Sequence, residues 1–181
     1  MNKKNPKLLL HICCAVCGGP VIERLESEYE IILYYFNPNI YPPAEYEKRE
    51  KYVKLIAENL GLDLVLGVYD HSAWLKEVRG FEQEPERGKR CEICFRYRLR
   101  ETAILAKKKE IPFFSTTLTI SPWKNAIIIN QVGSEIAKEI AIEYLERNDK
   151  KKDGYKRAVE LAKEGNIYQQ DYCGCEFSIR K

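Results

Sequence analysis

The sequence predicts a single-domain α/β protein in which a parallel sheet is flanked by helices. Short apolar runs alternate with segments whose apolar residues recur at helical spacing, and the alternation continues almost to the C-terminus. The chain has 181 residues, which suits one core of ordinary size. Because no repeat or low-complexity tract interrupts the pattern, we treat residues 1–181 as one domain.

The elements follow in order along the chain. Apolar runs predict strands at 8–12, 31–36, 62–69, 111–115 and 141–145. Helical spacing predicts helices near 21–25, 46–60, 72–79, 91–109, 121–140 and 153–163. We expect Ser72 and Ser121 to be N-caps, with Pro122 at the first helical position. The charged segment 80–90 contains Pro85 and predicts an exposed loop.

Polar residues and cysteines follow several of the predicted strands. In doubly wound sheets the carboxyl ends of the strands share one edge, where ligands bind. We therefore expect the loops after the first four strands to converge on one crevice. The residues concerned are Cys13, Cys14, Cys17, Asn37, Asn39, Asp70, Thr116, Thr117, Thr119 and Ser121.

Composition and charge exclude several classes of protein. Hydrophobic residues make up 45% of the chain, which argues against disorder. The net charge of +3 is too small to indicate nucleic-acid binding by itself, so a polyanionic partner needs a local basic patch. The sequence contains neither a long apolar run nor a secretory signal, which predicts a cytoplasmic protein without a membrane partner.

Seven cysteines are the most informative feature of the sequence. They form three groups: Cys13, Cys14 and Cys17; Cys91 and Cys94; and Cys173 and Cys175. A reducing compartment disfavours structural disulfides, so this grouping indicates metal or redox chemistry. Four thiolates satisfy one zinc ion or one 4Fe-4S cluster, which leaves three for another purpose. Structural zinc and a set of disulfides remain the alternatives.

Other residues carry weaker signals. Asp70 ends the third predicted strand, where it suits either proton transfer or an ordinary helix N-cap. We expect His11 to be a satisfied core histidine and His71 to be exposed. Basic side chains surround Cys91 and Cys94, with Phe95 and Tyr97 between them, and suit either a polyanion or a solvated helix face. They are Arg87, Lys89, Arg90, Arg96, Arg98 and Arg100. No Walker or dinucleotide-binding motif is present.

Several motifs in a fixed order together carry a family resemblance. They are LHICCAVC at 10–17, FNPNI at 36–40 with Glu45, Tyr46 and Arg49, YD at 69–70, RCEICFRYRL at 90–99, TTL at 116–118, SP at 121–122 with Lys124, and YCGC at 172–175. They span nearly the whole chain and contain all seven cysteines. On these motifs the chain resembles the cobalamin-independent epoxyqueuosine reductases of the QueH type. Val16 stands where the family motif often has proline, and no cysteine is lost by this departure.

The resemblance implies an oxidoreductase with an α/β fold of the adenine-nucleotide α-hydrolase type. The implied reaction removes the epoxide oxygen of epoxyqueuosine at the tRNA wobble position, giving queuosine. The implied partners are that tRNA and an unidentified electron donor. A tRNA thiolation enzyme is the enzymatic alternative, although it requires a phosphate loop where the cysteines stand here.

The resemblance also assigns site residues. A 4Fe-4S cluster is expected on Cys13, Cys14, Cys91 and Cys94. The tail, about 165–181, is expected to return Cys173 and Cys175 to the site as a redox-active disulfide pair or as ligands of an additional iron. Cys17 is the remaining candidate metal ligand. Separately from the resemblance, we hypothesise that Asp70 supplies or relays a proton. Contacts to tRNA are expected from Arg90, Arg96, Arg98 and Lys124.

Overall fold

The computed structural model describes residues 5–151 and 153–179 and contains one five-stranded parallel sheet. Its strand order is β3-β2-β1-β4-β5, with every neighbouring pair parallel. The strands are β1 (Lys7–His11), β2 (Glu30–Tyr35), β3 (Asp63–Leu66), β4 (Phe113–Thr116) and β5 (Glu143–Tyr144). The predicted α/β class and all five predicted strands are therefore confirmed, although β3 and β5 are shorter than expected.

In the described ranges, six α-helices and two short 3-10 helices connect the strands and form the tail. The α-helices are α1 (Ala15–Leu25), α2 (Pro43–Leu60), α3 (His71–Glu77), α4 (Lys89–Lys108), α5 (Ala126–Ile140) and α6 (Gly154–Glu164). The 3-10 helices span Thr117–Ile120 and Glu176–Ser178. The crossovers after β1 and β2 run in one direction along the sheet, and those after β3 and β4 run in the other. Right-handed crossovers therefore place α1 and α2 on one face and α4 and α5 on the opposite face.

The centre of the sheet explains why the first apolar run is continuous rather than alternating. β1 lies between β2 and β4, and Leu8, Leu9 and Leu10 are all fully buried. A central parallel strand is covered by helices on both faces, so side chains pointing in either direction need to be apolar. The strand order reverses between β1 and β4, which makes the loops after these two strands the switch point of the fold.

The starts of α1 and α5 differ most from the sequence prediction. α1 begins at Ala15, five residues before Pro20, so Cys17 lies in its first turn. α5 begins at Ala126, because the side chain of Asn125 accepts a hydrogen bond from the Ile127 N–H and caps the helix. The Ser121 cap was therefore wrong; its hydroxyl instead accepts from the Trp123 N–H in a turn.

Gly18 and Gly19 lie inside α1, where they allow close packing. A Cβ on Gly18 would lie 2.5 Å from Cδ1 of Ile12, and one on Gly19 would lie 3.1 Å from Cδ1 of Leu161. These glycines let α1 approach the end of β1 and the neighbouring helix α6. Within the described ranges, we find no helix that is both long and apolar enough to cross a membrane.

Candidate thiol and metal centre

The first group of thiols lies at the switch point, where β1 passes into α1. Cys13 follows the strand, Cys14 is the N-cap of α1, and Cys17 lies three residues further along the first turn. All three are buried, and their Sγ atoms lie within 4.8 Å of one another. Residues three apart at a helix start share one side of the helix, so the fold brings these sulfurs together. We call Cys13, Cys14 and Cys17 the thiol triad.

The hydroxyl-rich loop after β4 fixes the first residue of the triad. The Thr117 hydroxyl accepts a hydrogen bond from the Cys13 backbone N–H at 3.1 Å and donates one to the Cys13 Sγ at 3.4 Å. At the end of β1, Nδ1 of the buried His11 lies 2.8 Å from the Thr116 hydroxyl, and its Nε2 lies 3.2 Å from the Phe36 carbonyl. Burial and the nearby Arg98 lower the pKa of His11 to about 3, so the ring is neutral. The prediction of a satisfied core histidine is confirmed.

The three sulfurs of the triad do not ionise independently. Hydrogen bonds from Cys14 and Cys17 lower the pKa of Cys13, and the Cys13 sulfur in turn raises the pKa of Cys14 to about 11 and also raises that of Cys17. One thiolate therefore forms readily, and its negative charge opposes the ionisation of a second thiol. A bound cation that prefers sulfur would remove this opposition by neutralising the thiolates, with release of protons. The donor set of the triad fits a soft metal or an iron-sulfur centre.

The second group of thiols begins at the start of α4. Cys91 and Cys94 lie three residues apart in its first two turns, on the same side of the helix. The Arg87 N–H donates to the Cys91 Sγ at 3.2 Å, while burial raises the pKa of Cys91 to about 11. Cys94 is buried in a small apolar cluster with Trp74 and Cys175. The fold thus joins α4 to the C-terminal tail through these side chains.

The C-terminal tail is fixed by Arg49 of α2. The Arg49 guanidinium donates to the carbonyls of Tyr172 and Cys173, at 3.3 and 3.2 Å, and is itself held by Glu45 at 2.6 Å. Gly174 has φ of +118°, and a Cβ there would lie 3.0 Å from the guanidinium, so glycine is required between the two cysteines. These contacts hold the C-terminal tail against α2.

A cavity of about 240 Å³ is lined by all four thiols of the second group, Cys91, Cys94, Cys173 and Cys175. We call these four residues the thiol quartet. The Sγ atoms of Cys173 and Cys175 are 4.0 Å apart, and all seven cysteines are free thiols. A smaller cavity is lined by both Cys13 and Cys173 and so connects the quartet with the triad.

Two cations lie where the two groups meet. Lys124 and Arg98 line both the quartet cavity and the smaller cavity. Burial by itself lowers the pKa of Lys124, but the thiols of Cys173, Cys13 and Cys17 together raise it. The Arg98 guanidinium donates to the Asn37 side chain. Positive charge at this junction stabilises thiolates on both sides.

Two other residues considered in the sequence, Asp70 and His71, lie at the start of α3. Asp70 is exposed, lines neither cavity and accepts a hydrogen bond from the Ala73 N–H at 2.9 Å as the N-cap of α3, a position expected for Ser72. His71 was expected to be exposed, and this was wrong: its ring is half-buried and hydrogen-bonds Pro38 and Glu176.

The basic residues predicted to contact tRNA do not form one surface patch. Arg90 is 2% exposed and donates to the carbonyls of Phe81, Glu82 and Glu84, so it fixes the loop before α4. Arg98 is also buried. Arg96 lies on the surface and pairs with glutamates of α5. Burial of Arg90 and Arg98 results from tertiary packing, which their spacing along the helix does not reveal.

Sequence reasoning missed three residues that contact the thiols or hold them in place. They are Arg49, Trp74 and Gln170. Arg49 holds the Cys173 carbonyl, Trp74 packs with Cys94 and Cys175, and Nε2 of Gln170 donates to the Cys14 Sγ at 3.0 Å. In the sequence, Arg49 stands out only as part of a motif. A sequence signal for Gln170 exists in its position just before the Cys-Gly-Cys tail, whereas the contact itself spans 156 residues.

Fold and site together define a doubly wound α/β protein with a thiol-rich, metal-binding type of centre at its switch point. The solved structures that resemble this fold include two proteins whose descriptions refer to tRNA. One is described as a predicted subunit of tRNA methyltransferase from Methanocaldococcus jannaschii, with a TM-score of 0.55, 16% identity, and coverage of 87% of this chain and 76% of that one. The other is the U34-tRNA thiolase NcsA from Methanococcus maripaludis with its [4Fe-4S] cluster, with a TM-score of 0.60, 13% identity, and coverage of 98% and 63%.

The family is identified by sequence. The family model described as "Epoxyqueuosine reductase QueH" matches residues 8–181. Relatives carrying that name occur in Streptococcus pyogenes, with 38% identity over 97% of this chain and 71% of the relative, and in Haemophilus influenzae, with 40% over 96% and 72%. Another, from Thermotoga maritima, is 35% identical over 95% of this chain and 90% of the relative. The chain belongs to the QueH family, as its motifs suggested.

Proposed function

We propose that this protein is an epoxyqueuosine reductase that acts on tRNA and gives queuosine. In this reaction two carbon–oxygen bonds of the epoxide break, a carbon–carbon double bond forms, and the oxygen leaves as water. Two electrons and two protons are consumed. The observation that carries the proposal is a close group of three thiols at the switch point, with four more thiols lining an adjacent cavity, in a chain that belongs to this family.

The donor set fits an iron-sulfur centre, because thiolate sulfur is the preferred ligand of iron-sulfur clusters. The expected ligands were Cys13, Cys14, Cys91 and Cys94, whereas the side chains are grouped as triad and quartet. We therefore propose two centres, a 4Fe-4S cluster and an additional iron, divided between these groups. When bound, such a cluster supplies electrons one at a time.

The residues around the thiols have distinct proposed roles. Lys124 and Arg98 provide positive charge that offsets the negative charge of the thiolates. Cys173 and Cys175 belong to the quartet centre as metal ligands. The alternative role is a dithiol that carries two electrons, with a disulfide as the oxidised form, in which case Cys91 and Cys94 are the metal ligands of the quartet. Asp70 is kept as the proposed proton relay, which requires substrate to reach from the cavity to the start of α3.

The proposed partners are a tRNA carrying epoxyqueuosine and an external electron donor. Since tRNA is modified in the cytoplasm, we propose that this protein acts there. The quartet cavity, at about 240 Å³, accommodates part of one nucleotide rather than a folded RNA element. The reacting nucleotide therefore has to leave its stack and enter the cavity alone.

The test is metal analysis of anaerobically purified protein and matched variants. We expect brown protein with about four irons and four sulfides per chain, or somewhat more iron. Cys17→Ser and Cys91→Ser should each lose iron and turnover, because each removes a ligand from one thiol group. Ser134→Ala, which removes a hydroxyl that bonds Glu146, is the matched control and should behave as wild type. Colourless protein that holds only zinc after anaerobic reconstitution with iron and sulfide would contradict the proposal.

A further inference from the structure

Trp123 is a large aromatic side chain exposed at the mouth of the thiol site. Its side chain is 58% exposed, and it lines both the quartet cavity and a second cavity that reaches Cys17 and Cys173. The indole therefore stands between the two openings that lead to the thiols. Because the ring is exposed where these two cavities open, a ligand that enters either cavity can reach it.

The backbone around Trp123 is held in place by hydrogen bonds. The Trp123 N–H donates to the Ser121 hydroxyl at 3.3 Å, and its carbonyl accepts from Nε of Arg87 at 2.9 Å. The next carbonyl, that of Lys124, accepts from Nζ of Lys150 at 2.7 Å. The exposed indole thus projects from a fixed loop, which lowers the entropy lost when a planar ligand stacks on it.

Positive charge lies beside the indole and along the loop that carries it. The Arg87 guanidinium lies 5.7 Å from the centre of the ring, and the pKa of Lys150 is lowered by partial burial and by the charges of Arg87 and Lys124. In the described part of the chain, no carboxylate lies within ion-pair distance of these three cations. Glu86, also at this rim, offsets only part of their charge. The rim therefore combines an aromatic ring with cations, which matches bases joined by phosphates.

Arg87 also connects this rim to the thiols. Its φ of +75° is unusual for a residue other than glycine, and its N–H donates to the Cys91 Sγ. The same residue therefore contacts the exposed indole through its side chain and a quartet thiol through its backbone. A ligand that stacks on Trp123 is placed next to the cavity in which the thiols lie.

We infer that Trp123, with Arg87 and Lys150, forms a stacking platform for an unpaired base that neighbours the reacting nucleotide of the RNA substrate. The inference rests on the proposed function and adds the residues that position its substrate. Single-stranded RNA loops are recognised by stacking of splayed bases on aromatic rings, with cations on the adjoining phosphates. A protein partner seated on Trp123 is the competing occupant that the test has to distinguish.

The test compares RNA binding by Trp123→Ala, Trp123→Phe and a control, Ile127→Ala. Ile127 is 76% exposed in the first turn of α5 and close in sequence, yet it lines neither cavity. Affinity for a fluorescent anticodon stem-loop RNA is measured by anisotropy under anaerobic conditions. We expect Trp123→Ala to raise the Kd about tenfold or more, Trp123→Phe to raise it much less, and Ile127→Ala to leave it unchanged. Arg87→Met and Lys150→Met should each reduce the salt dependence of binding, which Trp123→Ala should leave unchanged.

Each outcome separates this inference from the function on which it rests. If wild-type protein reduces epoxyqueuosine in tRNA but Trp123→Ala binds RNA as tightly as Ile127→Ala, the platform is refuted and the function stands. If Trp123→Ala keeps its RNA affinity but loses reduction only when a protein electron donor replaces a chemical reductant, Trp123 serves the protein partner instead. If wild-type protein neither binds the RNA nor reduces it, both proposals fail.

Discussion

Replacing Arg90 by methionine should destabilise the fold far more than the same change at Arg96. The Arg90 guanidinium is 2% exposed, donates to three backbone carbonyls and lies over the Phe177 ring, with 5.1 Å between its central carbon and the ring centre. Hydrogen bonds to a charged group contribute about 1.5–3 kcal/mol each. In the variant, the three carbonyls lose their donor and remain shielded from water, which adds to the loss of stability. Since one nitrogen serves all three carbonyls, we count two full bonds and expect a loss of about 4 kcal/mol in the free energy of unfolding.

Thermal unfolding of anaerobic samples measures this loss. For a domain of this length, about 4 kcal/mol corresponds to a fall in Tm of roughly 8–16 °C. Arg96→Met is the matched control, because the pairs that Arg96 makes with Glu135 and Glu139 are exposed to solvent and add little to stability. Arg90→Lys should rescue little, since an ammonium lacks the planar fork of donors. Equal Tm values for Arg90→Met and Arg96→Met would refute a structural role for Arg90.

Two further predictions concern positions near the site. Thr119→Val should lower the free energy of unfolding by about 1.5–3 kcal/mol, because the buried Thr119 hydroxyl donates to the Asp149 carboxylate at 3.0 Å. Thr119→Ser should retain most of this stability. An unchanged midpoint of urea unfolding for Thr119→Val would contradict a stabilising role for this hydrogen bond. Asp70→Asn should keep the N-cap of α3 and the metal content, since asparagine caps as well as aspartate, but should lower turnover. Full turnover by Asp70→Asn would leave Asp70 as a helix cap only.

The sheet could be predicted from the sequence because its signals are local. Buried parallel strands produce continuous apolar runs, and the run around Leu8–Leu10 is the clearest of them. The start of α5 could not be predicted so well, because Ser121 and Asn125 are both competent caps. The choice between them depends on tertiary contacts, such as the bond from Lys150 to the Lys124 carbonyl.

The site could be predicted only in part for the same reason. Three cysteine groups are visible in the sequence, and the return of Cys173 and Cys175 was expected from the family resemblance alone. Which thiols lie together depends on contacts between distant segments, such as the bond between Arg49 and Cys173, which are 124 residues apart. Burial of Arg90 likewise depends on the path of the loop before α4.

The most direct test of the proposed function is conversion of epoxyqueuosine to queuosine in tRNA by the anaerobically purified protein. The tRNA is incubated with the protein and a chemical reductant and digested to nucleosides, which are then analysed by mass spectrometry. We expect the epoxyqueuosine signal to be replaced by a nucleoside lighter by one oxygen atom, and we expect Cys91→Ser to give no conversion. Unchanged epoxyqueuosine after incubation with iron-loaded wild-type protein would contradict the proposed function.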